Sequence, residues 1–191
     1  MVMLSSCKVY GPSSVVLTEL NNPSPKSIGG INRLQSERLA LVRLGRRLTI
    51  LRCTNIFGFE LNQDRPRFMA MMLRSLLEKG TVEFDCSLKT RRDFLPDCQF
   101  LELLNCVVSN PRPGIYNLGS GIPLKVGQIA KWVIEGYGNG KVIQTNDAKG
   151  NELLVDVSKL ERIYGRSAHE SEISESCKTI GRKLRNKQTA Q

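Results

Sequence analysis

The order in which hydrophobic periodicity switches along this 191-residue chain restricts its fold more than any single motif does. Short apolar runs, among them "VML" (Val2 to Leu4), "RLTILRC", "TVEF", "GIYNLG" and "KVIQT", alternate with segments whose apolar residues recur three and four apart. A strand sends successive side chains to opposite faces, whereas a helix needs the wider spacing to build one apolar stripe, so the alternation predicts β and α elements in turn. Strands linked through helices pair in parallel, because the crossover returns the chain to the same end of the sheet. An α/β fold around a largely parallel sheet is therefore expected.

"SIGGINRLQSERLALVRLG", from Ser27 to Gly45, predicts the first helix, with Ile31, Leu34, Leu41 and Leu44 inward and Gly45 as its stop. Pro66 suits the first turn of a second helix, which carries Phe68, Met71, Met72 and Leu76 and closes at Gly80. Its methionines read as core filler. "TNIFGFE" reads as a loop and "DCSLKTRRDFLPD" as a long charged loop, after which Asp97 caps a helix with Phe100, Leu101, Leu104 and Val107 inward. Another helix runs through Val126, Ile129, Ala130 and Val133, and "DVSKLERIYG" is helical, with Asp156 and Lys159 serving capping and packing.

Charge bears on the choice of partner. The net charge is +10, and five basic residues with no acid fall in "CKTIGRKLRNKQTAQ". This stretch reads either as an electrostatic tail for RNA, DNA or anionic lipid or as a solvated terminus, and charge so concentrated at one end argues against nucleic acid as the partner of the fold itself. The division expected is residues 1–165 as the folded part and 166–191 as a basic, flexible tail. Arginines on loops would also suit a phosphorylated small molecule. The six cysteines include no C-x-x-C pair and the one histidine is His169, so no metal site or disulfide framework is expected and the thiols read as reduced and buried. With no apolar run near the ~20 residues of a membrane span and no secretory leader, the chain is expected in the cytoplasm, away from membranes.

Four motifs in register give these elements a relative. "SSCKVYG", "TILRCTNIFG", "RRDFLPD" and "IYNLGSG" stand in the order and at the intervals of the extended short-chain dehydrogenases/reductases. The chain from about Met3 to Gly165 resembles the NAD-dependent epimerase/dehydratase family that acts on nucleotide sugars. The resemblance implies a partial Rossmann-like, doubly wound parallel sheet lacking its first strands, plus a small α/β C-terminal substrate-binding lobe. It implies NAD or NADP as cofactor and a nucleotide-diphosphate sugar as ligand. The glycine fingerprint that lets a backbone approach pyrophosphate at a helix N-terminus does not follow any strand in this chain, and "NLGSG" comes too late to serve.

The resemblance also assigns residues. Ser6 stands where the family's catalytic Ser or Thr meets the reacting sugar oxygen, although a turn serine is an equal reading. The family pairs a tyrosine with a lysine four residues later, the ammonium lowering the phenol's pKa and holding the nicotinamide ribose. Anchored on Glu37, that frame puts Gly29 at the tyrosine position and Arg33 at the lysine position, where Arg33 is left as the cofactor-binding residue. A shifted frame puts Lys26 at the tyrosine position and loses Glu37, so neither supplies a phenol. On the substrate side, Asn55 matches the nucleotide-sugar contact and Arg92 the diphosphate-binding arginine, with Asp93 positioning the loop; the competing reading of Arg92 is an ion pair with Asp93 or Asp97. The expectation is a truncated or degenerate nucleotide-sugar epimerase/dehydratase that is inactive alone, with the uncovered edge of the Val2–Leu4 strand met by a homodimer or a complementing N-terminal half. The alternative is a non-catalytic nucleotide-sugar-binding or scaffold module, or one half of a split enzyme.

Overall fold

The computed structural model describes residues 1–60, 67–165 and 168–189. In chain order the elements are β1 (Val2–Ser6), β2 (Ser13–Leu17), α1 (Ile28–Leu44), β3 (Thr49–Cys53), β4 (Asn55–Phe57), α2 (Phe68–Lys79), β5 (Thr81–Phe84) and β6 (Arg91–Pro96). These are followed by α3 (Asp97–Ser109), β7 (Gly114–Leu118), β8 (Pro123–Lys125), α4 (Val126–Tyr137), β9 (Lys141–Gln144), β10 (Leu153–Val155), α5 (Ser158–Tyr164) and α6 (Glu170–Thr189). They form two compact units that alternate along the chain. Met1–Ile56, Arg92–Pro123 and Asn151–Ala168 make the first, and Phe57–Arg91, Leu124–Gly150 and His169–Gln191 the second.

In the first unit β1, β3 and β7 lie side by side in that order, all parallel, with Val2 opposite Thr49 and Thr49 opposite Gly114. β3, with the sequence TILRC, is buried along its whole length, as suits a central parallel strand covered on both faces. Leu51, Leu95, Leu103, Val107, Tyr116, Leu118 and Leu160 form a core cluster on it, to which α3 and α5 contribute. The other sheet of the unit runs β2, β10, β6, β4, with β10 parallel to both β2 and β6. Two segments expected as loops thus contain strands, Asn55–Phe57 within "TNIFGFE" and Arg91–Pro96 within "DCSLKTRRDFLPD". Charge hid the second, because Asp93 is buried in a strand rather than solvated in a loop.

α1 forms where expected, capped by Ser27, whose Oγ accepts from the Gly30 N–H. Its packing differs from expectation: Ile31 and Leu41 are exposed, Leu34 and Leu44 are half-buried, and the buried positions are Gly30 and Glu37. The helix is held through a small residue and a charge rather than through an apolar stripe.

The second unit pairs β5 with β9 in parallel, Thr81 opposite Lys141 through Phe84 opposite Gln144. α2 buries Met69, Met72, Leu73 and Leu76 and ends at Gly80, whose φ of 66° is the left-handed cap that glycine adopts without strain. Pro66, expected to open this helix, lies outside the described residues. The flexible tail expected over 166–191 is corrected by α6, which spans Glu170–Thr189 and buries Ile173, Cys177, Ile180 and Leu184. Those four residues recur at helical spacing, but the surrounding Lys, Arg, Ser and Glu masked the stripe in a composition-based reading. α4 and α6 cross closely enough that a Cβ on Gly136 would meet the Lys178 backbone and one on Gly181 the Val133 carbonyl. Cys98 and Cys106 are exposed, unlike the buried Cys7, Cys53 and Cys177.

Gly181→Ala should therefore destabilise the protein by about 1–3 kcal/mol, the usual cost of forcing extra volume into a packed contact. Urea unfolding of the two proteins tests this. An unchanged midpoint would mean that the C-terminal segment is not packed as a helix.

Candidate functional site

The predicted site residues gather in the first unit, at the carboxyl ends of β1 and β3 and around β6. The crevice outside the carboxyl ends of parallel strands is where open α/β sheets bind ligands, because each chain leaves the sheet there in a loop free to carry polar groups.

Ser6 is the last residue of β1, and its Oγ accepts from the Lys8 N–H at 3.2 Å, capping a short 3₁₀ turn over Cys7–Val9. The same hydroxyl still carries a hydrogen that it can donate. The first turn of α1 sits on that 3₁₀ turn. A Cβ at Gly30 would come within 2.6 Å of the Lys8 carbonyl oxygen, so only glycine permits the approach. Gly29, one residue earlier, faces open space with nothing within 4 Å of where its Cβ would be. Arg33 follows on the same helix, and its Nη1 donates to the Leu4 carbonyl on β1 at 3.2 Å.

The interaction that fixes α1 on the sheet is one the sequence reading missed. Glu37 is buried with Arg52 of β3: Nε donates to Oε1 at 3.1 Å and Nη2 to Oε2 at 2.7 Å. Ser5 Oγ donates to the same Oε1, and the guanidinium lies 4.7 Å from the centre of the Tyr10 ring. The Tyr10 hydroxyl donates to Asn117 Oδ1 at 2.8 Å, and Asn117 Nδ2 donates to the carbonyls of Leu17 and Asp156. Burial above all raises the Tyr10 phenol to about 12, so it stays protonated. Cys53 is likewise pushed up to about 12 by burial, against an opposing pull from Arg33. A signal for this network existed: a lone arginine inside the otherwise uncharged run "TILRC" must find a buried partner.

On the substrate side, β4 and β6 lie next to each other and bring Asn55 to Asp93, the Asn55 Nδ2 donating to the Asp93 carbonyl at 2.8 Å. The Asp93 carboxylate is fully buried and accepts from Thr54 Oγ1 at 2.8 Å, the Ser120 N–H at 2.9 Å and the Gly121 N–H at 2.6 Å. The glycine turn "NLGSG" is thus closed on a buried carboxyl group, and Asp93 ties that turn to Thr54, just beyond β3. Desolvation raises the Asp93 pKa despite those donors. Arg92 donates from Nε to the Asn151 carbonyl at 3.2 Å. Asp156 caps α5 through the Ser158 N–H, and Lys159 donates to the Ile115 carbonyl.

The sequence profile of the NAD dependent epimerase/dehydratase family matches residues 1–119. No curated protein matches the chain. Among solved structures it is similar to an NAD-dependent NDP-hexosamine 5,6-dehydratase involved in tunicamycin biosynthesis, at 21% identity and a TM-score of 0.80, over 95% of this chain and 61% of that one. It is similar to RMD from Pseudomonas aeruginosa, complexed with NADPH, at 18% identity and a TM-score of 0.81, covering 97% and 66%. It is also similar to the UDP-N-acetylglucosamine 4-epimerase from Methanobrevibacter ruminantium M1, complexed with UDP-N-acetylmuramic acid, at 17% identity and a TM-score of 0.82, covering 97% and 63%. The chain therefore spans less than two thirds of the length of these relatives. No helix among the described residues is long and apolar enough to cross a membrane.

Two predictions follow from the geometry. Gly29→Ala should raise stability by about 0.5–1 kcal/mol, since alanine costs less helix entropy in open space, while Gly30→Ala should lower it by about 1–3 kcal/mol through the clash with Lys8. Paired thermal melts decide, and equal effects would contradict the placement of α1. The raised Asp93 pKa sets a pH slope. Above 3.8, its ordinary value, the unfolded chain releases this proton while the folded one retains it, so stability falls as pH rises from there through the folded pKa. Urea midpoints between about pH 4 and pH 7 should show that fall in the wild type and a flatter line in Asp93→Asn.

Proposed function

Since the chain belongs to the NAD dependent epimerase/dehydratase family, its first 119 residues matching the family profile, we propose that it recognises a nucleotide-diphosphate sugar and does not catalyse the family's reaction by itself. The observation that carries this reading is the pair at the head of α1. Gly29, at the place of the proton-transferring tyrosine, has no side chain and faces open space. Arg33, at the place of the lysine, donates from its guanidinium to the Leu4 carbonyl. An arginine here can hold a ribose hydroxyl or a negative charge, but it cannot lower the pKa of a phenol that is not present.

The cofactor would be NAD or NADP, which in this family accepts and returns a hydride. The residues present fit it only in part: Arg33 is a ribose-side candidate, while the described residues offer no phenol positioned on α1 to move the accompanying proton. No catalytic step is therefore assigned to this chain. Ser6 remains suited to contact a sugar hydroxyl. Asn55 and Arg92 are proposed as the substrate contacts, supported by the Asn55 to Asp93 hydrogen bond, which holds the amide beside the strand that carries Arg92. A guanidinium meets two phosphate oxygens at once, which suits a diphosphate.

A second reading is supported by β1, which lies at the end of its sheet with β3 on one side. A strand from another polypeptide, or from a second copy, could pair there and bring the cofactor-binding segment; even then the tyrosine at position 29 would be missing.

Calorimetry with NAD, NADP and UDP- or GDP-sugars tests the main reading. Binding of a nucleotide sugar without turnover is expected, weakened about tenfold in Arg92→Ala and less in Arg92→Lys. Turnover by the isolated chain would overturn it.

A further inference from the structure

Positive charge gathers around Gly29, and no described carboxylate meets it. Lys26 and Arg33 flank this glycine along the chain, and Lys8 adjoins it in space, its carbonyl oxygen lying 2.6 Å from where a Cβ on Gly30 would be. All three cations are exposed, and none forms an ion pair among the described residues. Arg33 stands one helical turn beyond Gly29 on the same face of α1, and its bond to the Leu4 carbonyl leaves the rest of its fork of donors open. Its charge reaches Cys53, the last residue of β3, which pairs with Ser6 in the sheet. The guanidinium therefore lies at the carboxyl edge of β1 and β3, beside Ser6. The acids of this edge are already engaged: Glu37 with Arg52, Asp93 with Thr54, Ser120 and Gly121, and Glu19 with the Asn117 N–H.

We infer that the space at Gly29 receives a carboxylate carried by the sugar and held by Arg33, so that the chain prefers nucleotide sugars whose sugar is acidic over neutral ones. The inference rests on the nucleotide-sugar reading above and adds which sugars the crevice selects. Room is available, because nothing lies within 4 Å of where a Cβ on Gly29 would stand. Of the two roles open to Arg33, a ribose hydroxyl or a negative charge, the second uses more of the side chain. A guanidinium fork matches both oxygens of a carboxylate, and a charge-assisted bond is roughly twice as strong as one to a neutral group. Lys8 and Lys26 add to the pull without having to touch the ligand, since a crevice lined by one sign of charge concentrates the field inside it. The diphosphate is already assigned to Arg92, so the anion left for Arg33 belongs to the sugar itself. A carboxylate in place of a hydroxymethyl group adds that charge with almost no added bulk.

The test titrates the full chain by calorimetry with UDP-glucuronate and with UDP-glucose, which share the uridine diphosphate and differ in one group, a carboxylate against a hydroxymethyl. UDP-glucuronate should bind about tenfold more tightly. The ratio of the two affinities should shrink as salt is raised, because the shared diphosphate cancels and only the added charge is left to screen. Arg33→Gln should bring the affinities together by weakening UDP-glucuronate alone, whereas Arg33→Lys, which keeps the charge without the fork, should retain part of the preference. Arg33 is exposed, and thermal melts matching the wild type will certify that both variants are folded. Equal affinities in the wild type overturn the inference and leave nucleotide-sugar recognition standing, while failure of both sugars to bind overturns the two together. A preference unchanged in Arg33→Gln overturns the inference as well, since the carboxylate would then be held elsewhere.

Discussion

The carboxylate of Glu37 and the guanidinium of Arg52 meet where water does not reach, and the first unit is organised around that meeting. Burying two charges is expensive, and the cost is offset only when every polar atom is engaged. Here the pairing is two-pronged, Ser5 adds a hydroxyl, and the Tyr10 ring covers the guanidinium. The consequence is a helix whose position is set by geometry rather than by apolar area. α1 can leave its isoleucines and Val42 in solvent and still have one register on β1 and β3, because shifting it would strand a charge.

This separates two kinds of position that a family signature lumps together. Glu37 is required by the fold, since its loss would leave Arg52 buried and unpaired, at a cost of about 3–5 kcal/mol. Gly29 is required by nothing around it. A side chain that serves chemistry alone can disappear without structural penalty, whereas one that also satisfies a buried partner cannot. Glu37 and Gly30 are positions of the second kind here, each held by a close contact, whereas Gly29 is free of any.

The alternation of elements and the parallel sheet were legible because strand and helix periodicities are intrinsic to the backbone. Ser6, Arg33, Asn55 and Arg92 could be named from motif spacing, but their surroundings could not. Arg92 reaches the Asn151 carbonyl, a residue 59 positions away, and no local pattern announces such a bond. β6 escaped because "RRDFLP" looks solvated until Asp93 is seen to be enclosed by Thr54, Ser120 and Gly121. α6 escaped in the same way, its four buried residues being diluted among charges. In each case a charge was taken as a mark of exposure.

The interleaving of the two units governs when each can assemble. The second unit needs Gly181 against α4, and α2 precedes that glycine by about one hundred residues, so the cost of closing a long loop comes before the reward of contact. The first unit is similarly interrupted between Ile56 and Arg92 and again between Pro123 and Asn151. On the ribosome β3 emerges well before β7, and β2 well before β10, so each waits for the strand that pairs with it. Such a chain depends on chaperone shelter during synthesis more heavily than a domain of the same size whose contacts are local.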